Sequence, residues 1–307
     1  MSEQPTIYTP GADHAASMQY RNNGIGGSDV ASVLGISKWK SPVQLWMEKT
    51  GRAESAQDNN TFRRGRALEP LVLDEYTAQT GLALKHVEPI IDGCFIASID
   101  AMTADGLRVV DAKTTTRMFD GIPLYYETQL QWYMGFFPTV QFGDLPTWDL
   151  LTDKINCDLS CARNDELIAQ LRAIVLEFWR RYVEGNTPPP PQSEDDCKLI
   201  WTRHNPGKLV VATDVEISAL AQLKAAKEKA KAAEAEEEAA KFIIMRHIAD
   251  ADTLTDSAGV KLCTFKNNKD GLKTDWEGVA RSFNPAAELI ASHTITTPGA
   301  RVLRISK

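Results

Sequence analysis

Histidine and cysteine, the side chains that most often bind zinc and iron, are scarce in this sequence. The chain has 307 residues with five histidines and five cysteines; the histidines are scattered without ligand spacing, and the cysteines lack paired CxxC spacing. We therefore expect no histidine-based metal site, and we expect free buried thiols in preference to a zinc or iron–sulfur centre. The cysteines are Cys94, Cys157, Cys161, Cys197 and Cys263.

Long apolar runs and an excess of basic residues are also absent. No run is long enough to cross a bilayer, and the first residues lack the charged-then-apolar pattern of a signal peptide, so a cytoplasmic location is expected. The formal net charge of -7 argues against a protein that coats nucleic acid non-specifically. The net charge does not exclude an enzyme with a local basic groove, because acidic metal sites contribute much negative charge.

What is present is an ordinary globular composition, 43% hydrophobic and 24% charged. Residues 1–192 alternate helix-like and strand-like patterns, which predicts an α/β domain with a small mixed sheet flanked by helices. Helices are predicted at 28–34, 42–50, 61–80, 125–136 and 165–184. Strands are predicted at 82–90, 94–99, 107–112, 148–151 and 155–159.

The composition changes after the four prolines at 188–191. We predict a linker over 193–213 and a second part over 214–307 that begins with an Ala/Lys/Glu-rich helix at 214–249. Blocks of opposite charge on this helix favour a solvated helix or a coiled-coil arm. Strands at 260–265 and 301–305 then form a small C-terminal unit with Trp276 and Phe283 as its predicted core. Nothing in the sequence indicates the role of this part.

The segment VVDAKTTT, residues 109–116, carries an acid and a lysine two positions apart. Its β-branched residues predict a strand, in which Asp111 and Lys113 point to the same face. A buried acid–lysine pair is costly unless it is compensated. One compensation is a simple salt bridge. The other is a metal ion on the carboxylate and a reacting anion on the ammonium.

A second acid, Asp100, follows the apolar run of the preceding predicted strand. If the two strands pair, Asp100 and Asp111 converge, and two close carboxylates need a cation or a shared proton. Mg²⁺ suits such a site because it prefers oxygen ligands and keeps several waters. A third acid, Glu69, lies on the helix at 61–80. It could hold a water or a second ion, or it could simply pair with Arg66 one helical turn away.

Five stretches follow one another along the chain: RNNGIGGSDVASVLGISKWKSPVQLWMEKTG, RRGRALEP, SIDAMTADG, VVDAKTTT and YYETQLQWYMGFF. In this order they resemble the PD-(D/E)xK nuclease core, and most closely the YqaJ-type viral recombinase (lambda exonuclease) family. The resemblance covers roughly residues 20–191. It departs from the family pattern at Ile99, where proline is commoner, and at Asp111, where glutamate is usual.

The resemblance implies a role for each residue at a motif position. Asp100 and Asp111 would bind Mg²⁺, for which Mn²⁺ can substitute, and the carbonyl of Ala112 would complete the protein ligands. Glu69 would hold a metal-bound water or a second ion. Lys113 would assist the nucleophile or contact the phosphate in the transition state.

Further roles follow from the same resemblance. Gln129 would orient the lysine or the water, and Tyr133 completes the Q-x-x-x-Y spacing. Arg21 and Ser28 would form a pocket for a 5′-phosphate, and Ser98 would lie near the scissile phosphate. An alternative for Ser28 is a simple helix N-cap.

The implied activity is that of a Mg²⁺-dependent exonuclease that digests the 5′-ended strand of linear duplex DNA and leaves 3′ single-stranded tails for phage-type recombination. The resemblance also implies a phage- or prophage-encoded protein, a ring of three subunits and a single-strand annealing partner. Two alternatives remain: a structure-selective endonuclease of the same superfamily, and a catalytically silent scaffold that binds DNA ends.

Basic and aromatic residues between and within the early helices could form the entrance for the duplex. For the two tryptophans of this set, burial in the core is the competing prediction. The set is Lys38, Trp39, Lys40, Trp46, Arg63 and Arg64.

Overall fold

The fold was analysed on a computed structural model. It describes residues 6–7, 23–53, 59–269, 271, 273–283, 285–295, 299 and 302–303. The chain divides into two compact units, one of residues 1–203 with 301–307 and one of residues 204–300. The predicted domain boundaries at 192 and 214 stay a prediction.

The first unit contains six described α-helices, which begin and end where local sequence signals place them. Ser41 accepts a hydrogen bond from the Gln44 N–H at 3.2 Å, and Gln44 accepts one in return from the Ser41 N–H at 2.9 Å. This reciprocal capping starts the second helix. Gly81, with φ of 71°, ends the third. The helices are α1 Gly27–Val33, α2 Pro42–Lys49, α3 Asn60–Thr80, α4 Leu124–Met134, α5 Asp165–Phe178 and α6 Glu194–Ile200.

Short strands make up the sheets of the same unit. The first four are β1 Thr6–Ile7, β2 Leu84–Lys85, β3 Ile90–Asp92 and β4 Phe95–Ala97, the next three are β5 Ala101–Thr103, β6 Arg108–Val110 and β7 Lys113–Thr115, and the last four are β8 Phe142–Asp144, β9 Thr147–Asp149, β10 Lys154–Asn156 and β11 Ser160–Ala162. The largest sheet has the order β11-β8-β6-β5-β2, and smaller ones have the orders β10-β9-β7 and β1-β3-β4. The predicted small mixed sheet with flanking helices is confirmed, because β6 and β8 are parallel while β5 and β6 are antiparallel.

Two strand pairs form one extended parallel ladder with a break in the middle. Strand β6 leads through residues 111–112 into β7, and β8 leads through residues 145–146 into β9. The ladder is kept across the break, where the Asp111 N–H donates to the Asp144 carbonyl at 3.0 Å and the Lys113 N–H to the Pro146 carbonyl at 2.9 Å. The backbone at 111–112 is therefore held firmly on one side.

Helix α4 is enclosed on nearly every side, and it forms the centre of the core. Leu130, Trp132 and Met134 are buried with Val109 and Leu145 of the sheet. Polar residues on so enclosed a helix need partners inside the protein. This requirement brings the side chains of α4 into contact with the strands.

Several predicted boundaries differ from the observed ones. The predicted strand 82–90 is two short strands, because Pro89 lacks the N–H that a continuous ladder needs. The predicted helix 165–184 ends in a π-helical turn, Trp179–Glu184. Strand β8 was not predicted, since its glycine and aspartate are depleted in strands. The aspartate is Asp144, and it is buried.

Helix α6 lies in the segment 193–213 that was predicted to be a linker. It is tied to the start of α2, where the Ser41 hydroxyl donates to Asp196 Oδ1 at 2.5 Å. The Gln192 N–H also donates to Asp196 Oδ2, at 2.9 Å. A buried carboxylate with these two donors orders the segment, and its partner lies about half the chain away in sequence.

The second unit begins with α7 Asp214–Ile248, which is exposed along most of its length, as predicted for a solvated helix. A hairpin of β12 Thr253–Thr255 and β13 Lys261–Thr264 follows, with α8 Trp276–Ser282 and α9 Ala287–Ser292. The predicted core of Trp276 and Phe283 is wrong, because these side chains are 74% and 78% exposed. Aromatic character favours burial only where other elements supply packing partners.

The predicted strand 301–305 falls mostly outside the described residues. In the described part of the chain, none of the helices combines the length and the apolar character needed to cross a bilayer.

Candidate active site

The break in the parallel ladder places two carboxylates side by side. Asp100 immediately precedes β5, and its Oδ2 accepts a hydrogen bond from the Ala112 N–H at 2.8 Å. The neighbouring N–H groups, of Asp111 and Lys113, point the other way to β8 and β9. Of the three N–H groups at the break, the Ala112 N–H is the one that faces β5, and Asp100 accepts its hydrogen bond. The prediction paired the strand before Asp100 with the strand of Asp111, and that pairing is wrong, because β4 pairs with β3. The strand after Asp100, β5, pairs with β6 and brings Asp100 to the break.

Asp111 and Lys113 share a face and form an ion pair through Oδ2 of the carboxylate. The side chain of Asp111 is 2% exposed and that of Lys113 is 22% exposed. The other oxygen, Oδ1, accepts a hydrogen bond from Gln129 Nε2 at 3.2 Å. The Lys113 ammonium engages Oδ2, which has a second lone pair. This atom therefore keeps acceptor capacity for a further ligand.

The charges of the site act strongly on one another because it is poorly solvated. Burial, and then the charge of Asp111, raise the pKa of Asp100 to about 8, against the opposing effect of Lys113. Burial also raises the pKa of Glu69. The positive charges of Lys113 and Arg66 oppose this effect, and the negative charge of Asp111 adds to it. Burial by itself lowers the pKa of Lys113, but Asp111 and Asp100 outweigh it and the net direction is upward.

The surplus of carboxylates over ammonium groups suits a hard divalent cation. Without a cation, Asp100 holds a proton near neutral pH, whereas a cation would let both aspartates ionise. Among the described residues, no three His, Cys, Asp or Glu side chains form a group that could hold a metal ion. An ion here would rest on Asp100 and Asp111, with water and the Ala112 carbonyl filling its shell, which is how Mg²⁺ is usually bound. Glu69, predicted as a further ligand, does not form such a group with the two aspartates in the described part of the chain, and Mg²⁺ binding by Asp100 and Asp111 stays a prediction.

Gln129 links the acid pair to the core helix α4. Its Nε2 donates both to Asp111 and to the hydroxyl of Tyr133, the latter at 2.8 Å. Gln129 was predicted to orient the lysine or a water. In the structure it contacts the aspartate that the lysine pairs with, so it fixes the lysine's partner.

Tyr133 also sets the position of the GIGGSD turn. A Cβ atom on Gly27 would lie 2.4 Å from Cε1 of the Tyr133 ring, so only glycine fits at this position. The first residue of α1 is therefore pressed against the side chain that Gln129 hydrogen-bonds. This contact holds the turn next to the acid pair.

Gly27→Ala is expected to lower the free energy of unfolding by about 1–3 kcal/mol, because the new methyl group overpacks the Tyr133 ring. Urea denaturation measures the effect. The matched control is Gly65→Ala in α3, where the new Cβ would meet only Thr114 Oγ1 at 4.0 Å. That variant is expected to gain about 0.4–1 kcal/mol, since alanine restricts the unfolded chain. Equal effects in the two variants would contradict the close approach.

The residues predicted for the 5′-phosphate pocket are only partly described. Arg21 lies outside the described residues. Ser28 is exposed within the first turn of α1, but it is not the N-cap, so that alternative is wrong. Gly26 takes the N-cap position, and its N–H donates to Asp29 Oδ2 at 3.4 Å. Ser98 is partly buried between β4 and β5, two residues before Asp100.

A network behind this turn was not predicted. Asp29 Oδ2 lies 2.8 Å from Nζ of Lys49, whose side chain is almost fully buried. Lys40 lies 3.8 Å from the other oxygen of Asp29 and also pairs with Glu48. The spacing of these residues on α1 and α2 gave no signal, because the pairs form only when the two helices pack together.

Some of the residues predicted for the duplex entrance are exposed, and others are buried or engaged in ion pairs. Trp46 is buried and donates from Nε1 to the Tyr182 carbonyl at 2.9 Å, so the core alternative is right for it. Trp39 is 66% exposed, so the core alternative is wrong for it. Arg63 and Arg64 are exposed in the first turns of α3, whereas Lys40 is engaged in the network described above.

The chain is similar to known proteins over part of its length. The family model of the YqaJ-like viral recombinase domain matches residues 18–137. These residues are therefore similar in sequence to that domain. An uncharacterized Bacillus subtilis protein, YqaJ, is 29% identical over 191 residues, which cover 55% of this chain and 56% of that protein. The match therefore spans about half the length of this relative.

Two solved structures are also among the proteins to which the chain is similar. An alkaline exonuclease from Laribacter hongkongensis is 22% identical with a TM-score of 0.46, covering 56% of this chain and 94% of that one. A phage-related exonuclease from Haemophilus somnus 129PT is 14% identical with a TM-score of 0.44, covering 56% of this chain and 98% of that one.

The matched region contains every residue predicted for the site, from Arg21 to Tyr133. The linker, α7 and the C-terminal hairpin lie beyond it. The residues assembled by the break in the ladder thus belong to the part of the chain that carries the family signature.

Proposed function

We propose that this protein is a Mg²⁺-dependent deoxyribonuclease that digests the 5′-ended strand of linear duplex DNA. The observation that carries the proposal is the meeting of Asp100, Asp111 and Lys113 at the break in the parallel ladder. A plain salt bridge needs one acid and one base. A second acid that must stay protonated beside such a pair is a cost to the fold unless it has a ligand to bind.

Asp100 and Asp111 would hold the cation through their carboxylate oxygens. The Ala112 carbonyl would assist, since extended backbone directs it to the same side as its N–H, which bonds to Asp100. When bound, a divalent cation lowers the pKa of a coordinated water and neutralises charge on the phosphate.

The other residues act on the reacting groups. The raised pKa of Lys113 keeps its ammonium charged, so it can donate to a phosphate oxygen as negative charge develops there. Glu69, whose pKa is raised by burial, would hold the attacking water or a second ion. Gln129 holds Asp111 in position through its Nε2.

Digestion of a linear duplex labelled at either end, with and without a 5′-phosphate, tests the proposal. We expect Mg²⁺-dependent shortening of the strand whose 5′ end is free, faster with the 5′-phosphate, and no cleavage of closed circular duplex. Shortening from the 3′ end would overturn the polarity, which rests on the family resemblance of the GIGGSD segment. Cleavage of circles would favour the endonuclease alternative, and binding without cleavage would favour the scaffold.

Assembly and partners stay predictions. They comprise a ring of three subunits, a single-strand annealing protein and a phage- or prophage-type role in the bacterial cytoplasm. Light scattering of the purified full chain would test the trimer, because three copies of a 34.0 kDa chain are readily distinguished from one.

A further inference from the structure

A cluster of three aromatic rings, one of them exposed and two partly buried, lies next to the site and is not used by the chemistry above. Trp39, in the loop between α1 and α2, packs edge-on against Tyr125 with ring centroids 5.0 Å apart, and its centroid lies 6.2 Å from that of Tyr126. The two tyrosines are in contact at 4.6 Å. We call these three side chains the aromatic ledge.

The ledge leads directly to the reacting groups. The ammonium of Lys113 lies over the Tyr126 ring, 5.6 Å from its centroid. At the outer end, Lys38 lies over the Tyr125 ring at 5.0 Å. Two partly buried rings thus connect Lys113 with the exposed Trp39, and a second ammonium group lies beside them.

Trp39 is the unusual member, because two-thirds of this large apolar side chain is open to water. Tyr125 packs edge-on against it. An open aromatic face beside a lysine matches single-stranded nucleic acid, whose bases stack on aromatic rings while its phosphates attract cations. A paired base inside a duplex does not offer its face.

We propose that the aromatic ledge stacks an unpaired base of the DNA strand close to the phosphate that is cut, with Trp39 as the main stacking residue and Lys38 as a phosphate contact. The inference rests on the proposed function, since it assumes that a DNA strand enters the site. It adds a base-stacking contact by Trp39, which is not among the residues assigned to the site.

The test measures binding by the full chain in EDTA, where no cleavage occurs. The probe is a fluorescein-labelled duplex with a short single-stranded 5′ overhang, compared with the same duplex carrying abasic residues in the overhang. Trp39→Ala is expected to weaken binding of the normal probe by about tenfold to hundredfold, while Trp39→Phe keeps most of the affinity. With the abasic probe, wild type and Trp39→Ala are expected to bind equally.

Two controls separate stacking from other causes. Trp276→Ala removes an indole that is 74% exposed in the second unit, and it is expected to bind as wild type does. Lys38→Ala is expected to lower the slope of log affinity against log salt by about 0.7, whereas Trp39→Ala leaves the slope unchanged. Circular dichroism confirms that each variant is folded.

The stacking proposal is overturned if Trp39→Ala binds the normal probe as tightly as wild type does. It is also overturned if the substitution weakens binding of the abasic probe as much as binding of the normal one. Both results can be read without any cleavage. If the stacking proposal is wrong, the result of the hydrolysis assay is unaffected. If no hydrolysis occurs with Mg²⁺, the proposed nuclease function is wrong whatever the binding data show.

Discussion

Replacing Asp100 by asparagine is expected to lower Mg²⁺-dependent hydrolysis of linear duplex DNA by about a thousandfold or more while the protein stays fully folded. Asparagine keeps an oxygen that can accept the hydrogen bond from the Ala112 N–H. It cannot supply the negative charge that a divalent cation needs. The variant therefore removes the negative charge of the side chain and keeps its hydrogen bond to the backbone.

Lys113→Ala is expected to lose activity to a similar degree, because no ammonium remains to meet the charge that develops on the phosphate. This variant also leaves Asp111 buried without its ion-pair partner, which costs about 3–5 kcal/mol of stability. Asp100→Asn does not have this difficulty, so it is the decisive variant.

The matched control is Lys85→Ala on β2 of the same largest sheet, where the ammonium is exposed and donates to the Ala104 carbonyl. Its rate of digestion is expected to equal that of wild type. Wild-type rates in a folded Asp100→Asn or Lys113→Ala protein would remove the assignment of the site. Rates are measured as initial release of nucleotides from a linear duplex with a 5′-phosphate.

The stability of the metal-free protein is expected to fall as pH rises, and Asp100 is the cause. Its pKa is 3.8 ordinarily and about 8 in the fold. Between these values the folded state holds a proton that the unfolded chain has lost, so the free energy of unfolding decreases with pH by up to about 1.4 kcal/mol per pH unit. Below the lower value and above the higher one this contribution is flat.

Asp100→Asn isolates the effect from the other titrating groups. The difference in free energy of unfolding between the variant and wild type, measured in urea with EDTA, is expected to grow in favour of the variant from about pH 4 to about pH 8. Added Mg²⁺ is expected to stabilise wild type more at the higher pH, since it binds the ionised form, and to do little for the variant. A difference that is independent of pH would contradict the burial of this carboxyl.

The sequence was informative where the determinants are local. Proline and serine at the start of α2, asparagine at the start of α3 and glycine at its end place these helices nearly at their predicted bounds. The two-residue alternation of an extended chain placed Asp111 and Lys113 on one face. These features depend on residues a few positions apart.

Local signals failed where partners are distant in sequence. Strand β8 was missed because Asp144 is an unlikely strand residue. It is buried only because the Arg108 guanidinium donates to both its oxygens, at 2.7 and 2.9 Å, and the Tyr76 hydroxyl donates to it at 2.6 Å. Trp39 was misjudged for the opposite reason. Hydrophobicity favours burial, but its loop places it on the outside, against the tyrosines of α4.

The sequence alone determined the set of acids and the lysine, their order and the elements that carry them, because spacing along helices and strands is a short-range property of the backbone. Only the tertiary structure decided that the Ala112 N–H turns to Asp100, that Gln129 reaches Asp111 and that Tyr133 admits nothing larger than glycine at position 27. Those outcomes depend on which surfaces pack together, and close packing and desolvation are set by the whole fold at once.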